Sequence, residues 1–136
     1  MTAACTRREL LLVFAASAAR PQSAAKPIRG VFPIMATPFT EKKEVDWEDL
    51  VREVEFLGRC GVHGYVWPQL ASEYWLLSKE ERMRGMELLA KAARGRRPAL
   101  VLGVQGPNTE AMLEYARYAE TLGPDAINDT PPTETK

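Results

Sequence analysis

An amine, imidazole or thiol does chemistry when it is withdrawn from water or paired with a second group, and otherwise it only keeps the surface solvated. The 136-residue chain contains one histidine, two cysteines and the six lysines Lys26, Lys42, Lys43, Lys79, Lys91 and Lys136. None of these lysines falls inside an apolar strand, where desolvation would depress its pKa and free the lone pair. Lys42 and Lys43 are adjacent in a polar turn and read as a solvated surface pair. His63 lies between glycine-flanked turns and has no second ligand or cysteine partner, so it reads as a loop histidine. With so few nitrogen and sulfur ligands a closed zinc site cannot be built, and no metal or cofactor is expected. Trp67 and Trp75 bracket a loop, and they are expected to fill the junction between a strand end and the next helix.

The elements that position these groups follow from the hydrophobic periods. Val31 to Ala36 is a short apolar run closed by Thr37-Pro38, which reads as a buried strand in spite of Pro33. Asp46 caps a helix with Trp47, Leu50, Val51, Val54 and Leu57 at helical spacing, ended by Gly58 and Gly61. A second strand over Gly64 to Trp67 precedes the loop Pro68 to Leu77. Ser78 and Glu81 then form a capping box for a helix carrying Met83, Met86, Leu89, Ala90 and Ala93. Ala99 to Val104 is continuously apolar, as a strand buried on both faces should be. Asn108 caps a helix with Met112, Tyr115, Ala116, Ala119 and Leu122 on one face, and Gly123 ends it. Tyr115 and Tyr118 on this helix read as packing residues. A brief fourth strand, Ala126 to Asn128, leads into a polar tail over 129–136.

Strands beginning near 31, 64, 99 and 126 with a helix in each gap are the pattern of parallel βα units. The fold class expected is therefore α/β. An open doubly wound sheet is the structural alternative, but no G-x-G-x-x-G turn follows the first strand.

Residues 1–25 read as an export signal: Arg7 and Arg8 stand directly before the apolar run Leu10 to Ala19, which is too short to span a bilayer, and Ser23-Ala24-Ala25 fits a cleavage site. The paired arginines favour a twin-arginine route to the periplasm or the exterior. Without Arg7, Arg8, Arg20 and Glu9, the 18 basic and 18 acidic residues of the whole chain become 15 and 17. That balance argues against nucleic acid as a partner, and no membrane association is expected after signal removal. Cys5 leaves with the signal, so Cys60 has no intramolecular partner.

Gly30 to Phe39, Glu44-Val45-Asp46, Gly61 to Gly64, Glu73, Leu77 to Arg82, Gly103 and Thr130-Pro131 together resemble the opening half of the dihydrodipicolinate synthase / N-acetylneuraminate lyase family. The resemblance implies parallel βα units forming the N-terminal half of a TIM (β/α)8 barrel, with a four-strand, three-helix partial barrel over 26–128 truncated after the fourth strand. It also implies class I aldolase chemistry, in which a lysine on a sixth strand forms a Schiff base with pyruvate or a related small 2-oxo acid. In the family's pattern, backbone amides of the loop after the second strand hold the substrate carboxylate. The matching substrate-binding positions are Leu70, Ala71 and Ser72, with Thr37 and Glu73 as structural loop residues, Glu73 satisfying loop amides. Ser72 stands where a glycine is usual, and Pro132 and Thr133 stand where a proton-shuttling tyrosine is usual.

No position here matches a catalytic residue of that chemistry, so the isolated chain is expected to be an incomplete, inactive lyase that is homo-oligomeric if folded. The alternative is a non-catalytic half-barrel that self-associates and binds a small acid, since unpaired strand edges and an open apolar face invite association.

Overall fold

The computed structural model describes residues 26–130. The expected leader, Lys136, and the positions Pro132 and Thr133 lie outside the described residues. Helix α1 spans Trp47–Arg59 and begins where the Asp46 carboxylate accepts the Asp49 N–H at 3.0 Å, with Glu48 and Asp49 favourably placed at the positive end of the helix dipole. Gly58, expected to end this helix, lies within it, and the reversal comes at Gly61 with φ +74°. Strand β1 is Gly64–Trp67, followed by two short 3-10 turns, Leu70–Ser72 and Tyr74–Leu76. Helix α2, Lys79–Ala93, starts at the expected capping box, in which Ser78 Oγ accepts the Glu81 N–H and the Glu81 carboxylate accepts the Ser78 N–H. Strand β2 is Ala99–Gly103, helix α3 is Thr109–Leu122 with its Asn108 cap and a left-handed Gly123 stop, and strand β3 is Ala126–Asn128.

The three strands form one sheet in the order β1-β2-β3, every pairing parallel, with Trp67 opposite Leu102 and Gly103 opposite Asn128. The expected first strand is corrected: the run from Val31 makes a single parallel bridge, Ile34 to Val66, in place of a ladder. Pro33 has no N–H to donate, and the run is held instead by Val66 N–H to Pro33 O, Met35 N–H to Val66 O and His63 N–H to Val31 O. It therefore lies alongside β1 in the place a further strand would take.

Side-chain alternation divides the sheet into two faces. Tyr65, Trp67, Leu100, Leu102 and Val104 join Leu50, Val54, Met86, Leu89 and Tyr115 in the core between sheet and helices. Each large side chain buried there stabilises the fold by roughly 1.5–3 kcal/mol. The opposite, inner face carries Gly64, Val66, Val101 and Gly103, and all five residues of β2 are buried, as a strand covered on both faces should be. Two glycines set how closely these layers meet. A methyl group at Gly85 of α2 would lie 2.2 Å from the Trp67 ring, and one at Gly103 would lie 1.7 Å from the Pro68 carbonyl oxygen. The Tyr65 hydroxyl has no partner among the described residues, and burial pushes its pKa up to about 12 against the opposing pull of Arg96. At the base of the sheet Lys26 Nζ donates to Pro98 O at 2.9 Å and pairs with Asp125 at 3.2 Å, while Asp125 also accepts the Leu100 N–H at 2.8 Å. No described helix is long and apolar enough to cross a membrane.

Glu53 of α1 reaches the end of the Val31 run, where its carboxylate accepts the Ala36 N–H at 3.3 Å. Burial raises its pKa, the Ala36 bond opposes that rise, and Asp49 adds to it. A carboxyl whose folded pKa is raised favours the fold most when protonated, and that contribution is lost as pH rises through the raised value. Glu53→Gln keeps an acceptor for Ala36 and has no charge to desolvate. The variant should unfold at higher denaturant concentration than wild type at pH 7, with the difference shrinking at pH values below the ordinary carboxylate range.

Candidate functional site

The C-terminal ends of parallel strands are where βα architectures assemble their sites, because the loops leaving them converge there. In this chain that end gathers Thr37 after the Val31 run, Gln69 and Ser72 after β1, Gln105 after β2, and Asn128 at the end of β3. His63 and Lys26 are at the opposite end. His63 is exposed, and its Nδ1 accepts the Val31 N–H at 3.1 Å, in keeping with a loop role.

Thr37, 8% exposed, lies at the centre of this rim. Its hydroxyl donates to Ser72 O at 2.6 Å and accepts from Trp67 Nε1 at 3.1 Å. Ser72 is fully buried, its Oγ donating to Met35 O and accepting the Gln69 N–H at 3.0 Å. Its own N–H goes to Gln69 O at 2.9 Å. The Leu70 N–H is taken by Gln69 Oε1 at 2.8 Å, and the Glu73 N–H by Leu70 O at 2.9 Å. Leu70 and Ala71 carry exposed side chains, Leu70 at 54%. The amides of Leu70 and Ser72, both expected as substrate contacts, are thus committed within their own loop.

Glu73 departs from its expected role as a side chain that satisfies loop amides. It is exposed, makes no side-chain cap bond, and adopts φ 53°, ψ 43°, so its contribution is the left-handed turn joining the two 3-10 segments. That conformation is uncommon for a residue with a side chain. Trp67 fills the junction between strand end and helix as expected, but Trp75 is 58% exposed and meets Tyr74 edge-on at 5.5 Å.

Three rim residues carry more of the geometry than their sequence context signals. Gln69 Nε2 and Gln105 Nε2 both donate to Asn128 Oδ1, the latter at 3.2 Å, linking the ends of β1, β2 and β3 through uncharged carboxamides. The available signal was a carboxamide side chain at, or two residues beyond, the end of an apolar strand. Arg82 of α2 is 3% exposed and donates to Gln105 O at 2.6 Å, its guanidinium 3.9 Å from the centre of the Tyr115 ring and 5.2 Å from that of Tyr74. Burial lowers its pKa, and the two tyrosines oppose that shift. A cation desolvated against aromatic faces gains on the order of 2 kcal/mol, which offsets part of its burial cost.

Thr37→Val removes a hydroxyl of nearly equal volume and orphans both Trp67 Nε1 and Ser72 O. At roughly 1–3 kcal/mol for each unpaired buried group, equilibrium urea unfolding should show a loss on the order of 2–4 kcal/mol, while Thr37→Ser should keep most of the stability.

A model of the dihydrodipicolinate synthetase family matches residues 27–133. The chain is 40% identical over 98 residues to the 4-hydroxy-tetrahydrodipicolinate synthase of Phenylobacterium zucineum (strain HLK1), covering 72% of this chain and 33% of that protein. It is 32% identical over 108 residues to the N-acetylneuraminate lyase of Citrobacter koseri, covering 79% and 36%. Among solved structures, dihydrodipicolinate synthase from Aquifex aeolicus superposes with a TM-score of 0.70 at 28% identity, covering 74% of this chain and 34% of that one. The N-acetylneuraminate lyase of Proteus mirabilis gives 0.72 at 27% identity, covering 79% and 36%. The chain spans about a third of the length of the curated relatives it matches. Its parallel βα units are part of a TIM barrel, and the chain belongs to the dihydrodipicolinate synthetase family.

Proposed function

We propose that the chain supplies the first βα units of a lyase that makes or breaks a carbon–carbon bond beside the carbonyl of a small 2-oxo acid, pyruvate being the simplest. The observation that carries this reading is the convergence of Thr37, Gln69, Ser72, Gln105 and Asn128 at the C-terminal strand ends of a chain with that family membership. Such chemistry needs a lysine amine withdrawn from water. The amine condenses with the ketone, water leaves, and the resulting iminium accepts the electron pair released when the adjacent bond breaks.

No described lysine meets that requirement. Lys26 pairs with Asp125, Lys79 with Glu114 and Lys91 with Glu87, while Lys42 and Lys43 are exposed. The described tyrosines are engaged in packing: Tyr65 and Tyr118 on the helix side of the sheet, Tyr115 stacked on Arg82, and Tyr74, in the loop after β1, against Trp75 and the Arg82 guanidinium. The reading is therefore of a chain that does not turn over alone. Incubating it with pyruvate and borohydride should leave every lysine unmodified by mass spectrometry, and stoichiometric trapping at one lysine would overturn this.

A second reading, a non-catalytic half-barrel that pairs with itself and binds a small acid, draws support from one surface. Leu113 and Ile127, 50% and 53% exposed, flank a groove of about 350 Å³ between α3 and β3, whose outer edge no described strand pairs with. Sedimentation equilibrium decides it: a dimer or larger species at micromolar concentration favours self-association, and a helical monomer sinks it.

A further inference from the structure

Two polar groups at the mouth of the inner sheet face are left without protein partners among the described residues. Gln105 is 1% exposed and its Oε1 is a buried acceptor that no donor meets. Its Nε2 is committed to Asn128 Oδ1, at 3.2 Å, and that oxygen also accepts from Gln69 Nε2. Two donors on one oxygen fix the orientation of the Asn128 carboxamide, so its Nδ2 group, with two N–H donors, is turned away from both glutamines. No described acceptor takes these donors. Asn128 is partly exposed and stands in register with Gly103, against which Gln105 Oε1 rests: a methyl group at Gly103 would lie 2.7 Å from it.

An unpaired acceptor and free donors thus flank one hydrogen-bonded pair. A carboxylate only accepts and an ammonium only donates, so either would leave one side unmet. A hydroxyl does both. The carboxamides themselves are uncharged; Arg82 beneath them donates from its terminal nitrogens to the backbone carbonyls of Gln105 and Gly103 and stacks on the tyrosine faces, its Nε being buried without a partner among the described residues. The terminal torsion of a glutamine is broad, so a partial turn of the Gln105 carboxamide brings the buried Oε1 toward a donor offered beside Asn128, lengthening the Nε2 contact with Asn128 Oδ1 while Gln69 Nε2 still holds that oxygen. We propose that Gln105 and Asn128 form a subsite for an uncharged hydroxyl substituent of the ligand, with Asn128 Nδ2 donating to the hydroxyl oxygen and the hydroxyl hydrogen donated to Gln105 Oε1. For the remainder of the ligand this rests on the 2-oxo acid reading.

The test follows the side-chain NH2 resonances of Gln105 and Asn128 in the ¹⁵N-labelled full chain during titration with pyruvate and with 3-hydroxypyruvate, two acids that differ by one hydroxyl. The hydroxylated acid should bind about tenfold more tightly, the effect of one net hydrogen bond. Asn128→Asp keeps an oxygen for both glutamines and lacks the NH2 group, so it should erase the preference. Its added charge weakens both acids alike, and the ratio is what is read. Equal affinity of the two acids for wild type overturns the subsite, leaves the 2-oxo acid reading standing and needs no variant. If neither acid binds, ethylene glycol is the probe. Selective movement of the Asn128 amide resonances then supports the subsite while the 2-oxo acid reading fails, and no movement overturns the subsite.

Discussion

One buried hydroxyl, that of Thr37, ties together three stretches of chain that are remote in sequence. It takes the indole N–H of Trp67 and gives its own hydrogen to the Ser72 carbonyl, so the end of the Val31 run, the end of β1 and the loop beyond β1 share an atom. Ser72 continues the series to Met35 and Gln69, and Gln69 carries it to Asn128 on β3. In a low-dielectric setting a satisfied series of this kind specifies one arrangement, because breaking any member leaves another buried group unpaired. The loops at the strand ends, ordinarily the most mobile parts of a βα protein, are thereby held to the sheet that carries them.

Helix α2 is the second determinant of that arrangement, and it acts through one small residue and one large one. Gly85 lets the Trp67 ring lie directly on the helix, which places the indole where Thr37 can accept from it. One turn earlier, Arg82 holds the carbonyls of Gly103 and Gln105 from below while its guanidinium is covered by tyrosine rings. A buried cation commonly finds a carboxylate. Here backbone dipoles and aromatic faces serve, so the end of β2 is fixed without bringing a negative charge to the mouth of the sheet.

Much of this was legible in the residues themselves. The caps at Asp46, Ser78 and Asn108 and the stop at Gly123 appear where local chemistry places them, because each depends on contacts within a few residues. The continuous apolar run of β2 announced burial on both faces. The Val31 run was less readable: its apolar pattern fits a strand, yet Pro33 removes a donor that a regular ladder would use, and pattern and hydrogen bonding part company there. The site was the least legible. Leu70 and Ala71 were marked by the match to the family's loop pattern, whereas the geometry depends on Gln69, Gln105 and Asn128, whose partners lie up to 59 residues away. Hydrophobic periodicity contains no information about which carboxamides will meet across three strand ends.

The Lys26 strap has a consequence for everything joined to this chain. By gripping Pro98 and Asp125, Lys26 pins the start of the described polypeptide beneath β2 and β3. The mouth, with its carboxamides, is at the other end of the same strands. Whatever precedes Lys26, whether a leader or an engineered tether to a surface, is therefore attached at the floor of the sheet, and a molecule immobilised by that handle would present its open rim outward to solvent.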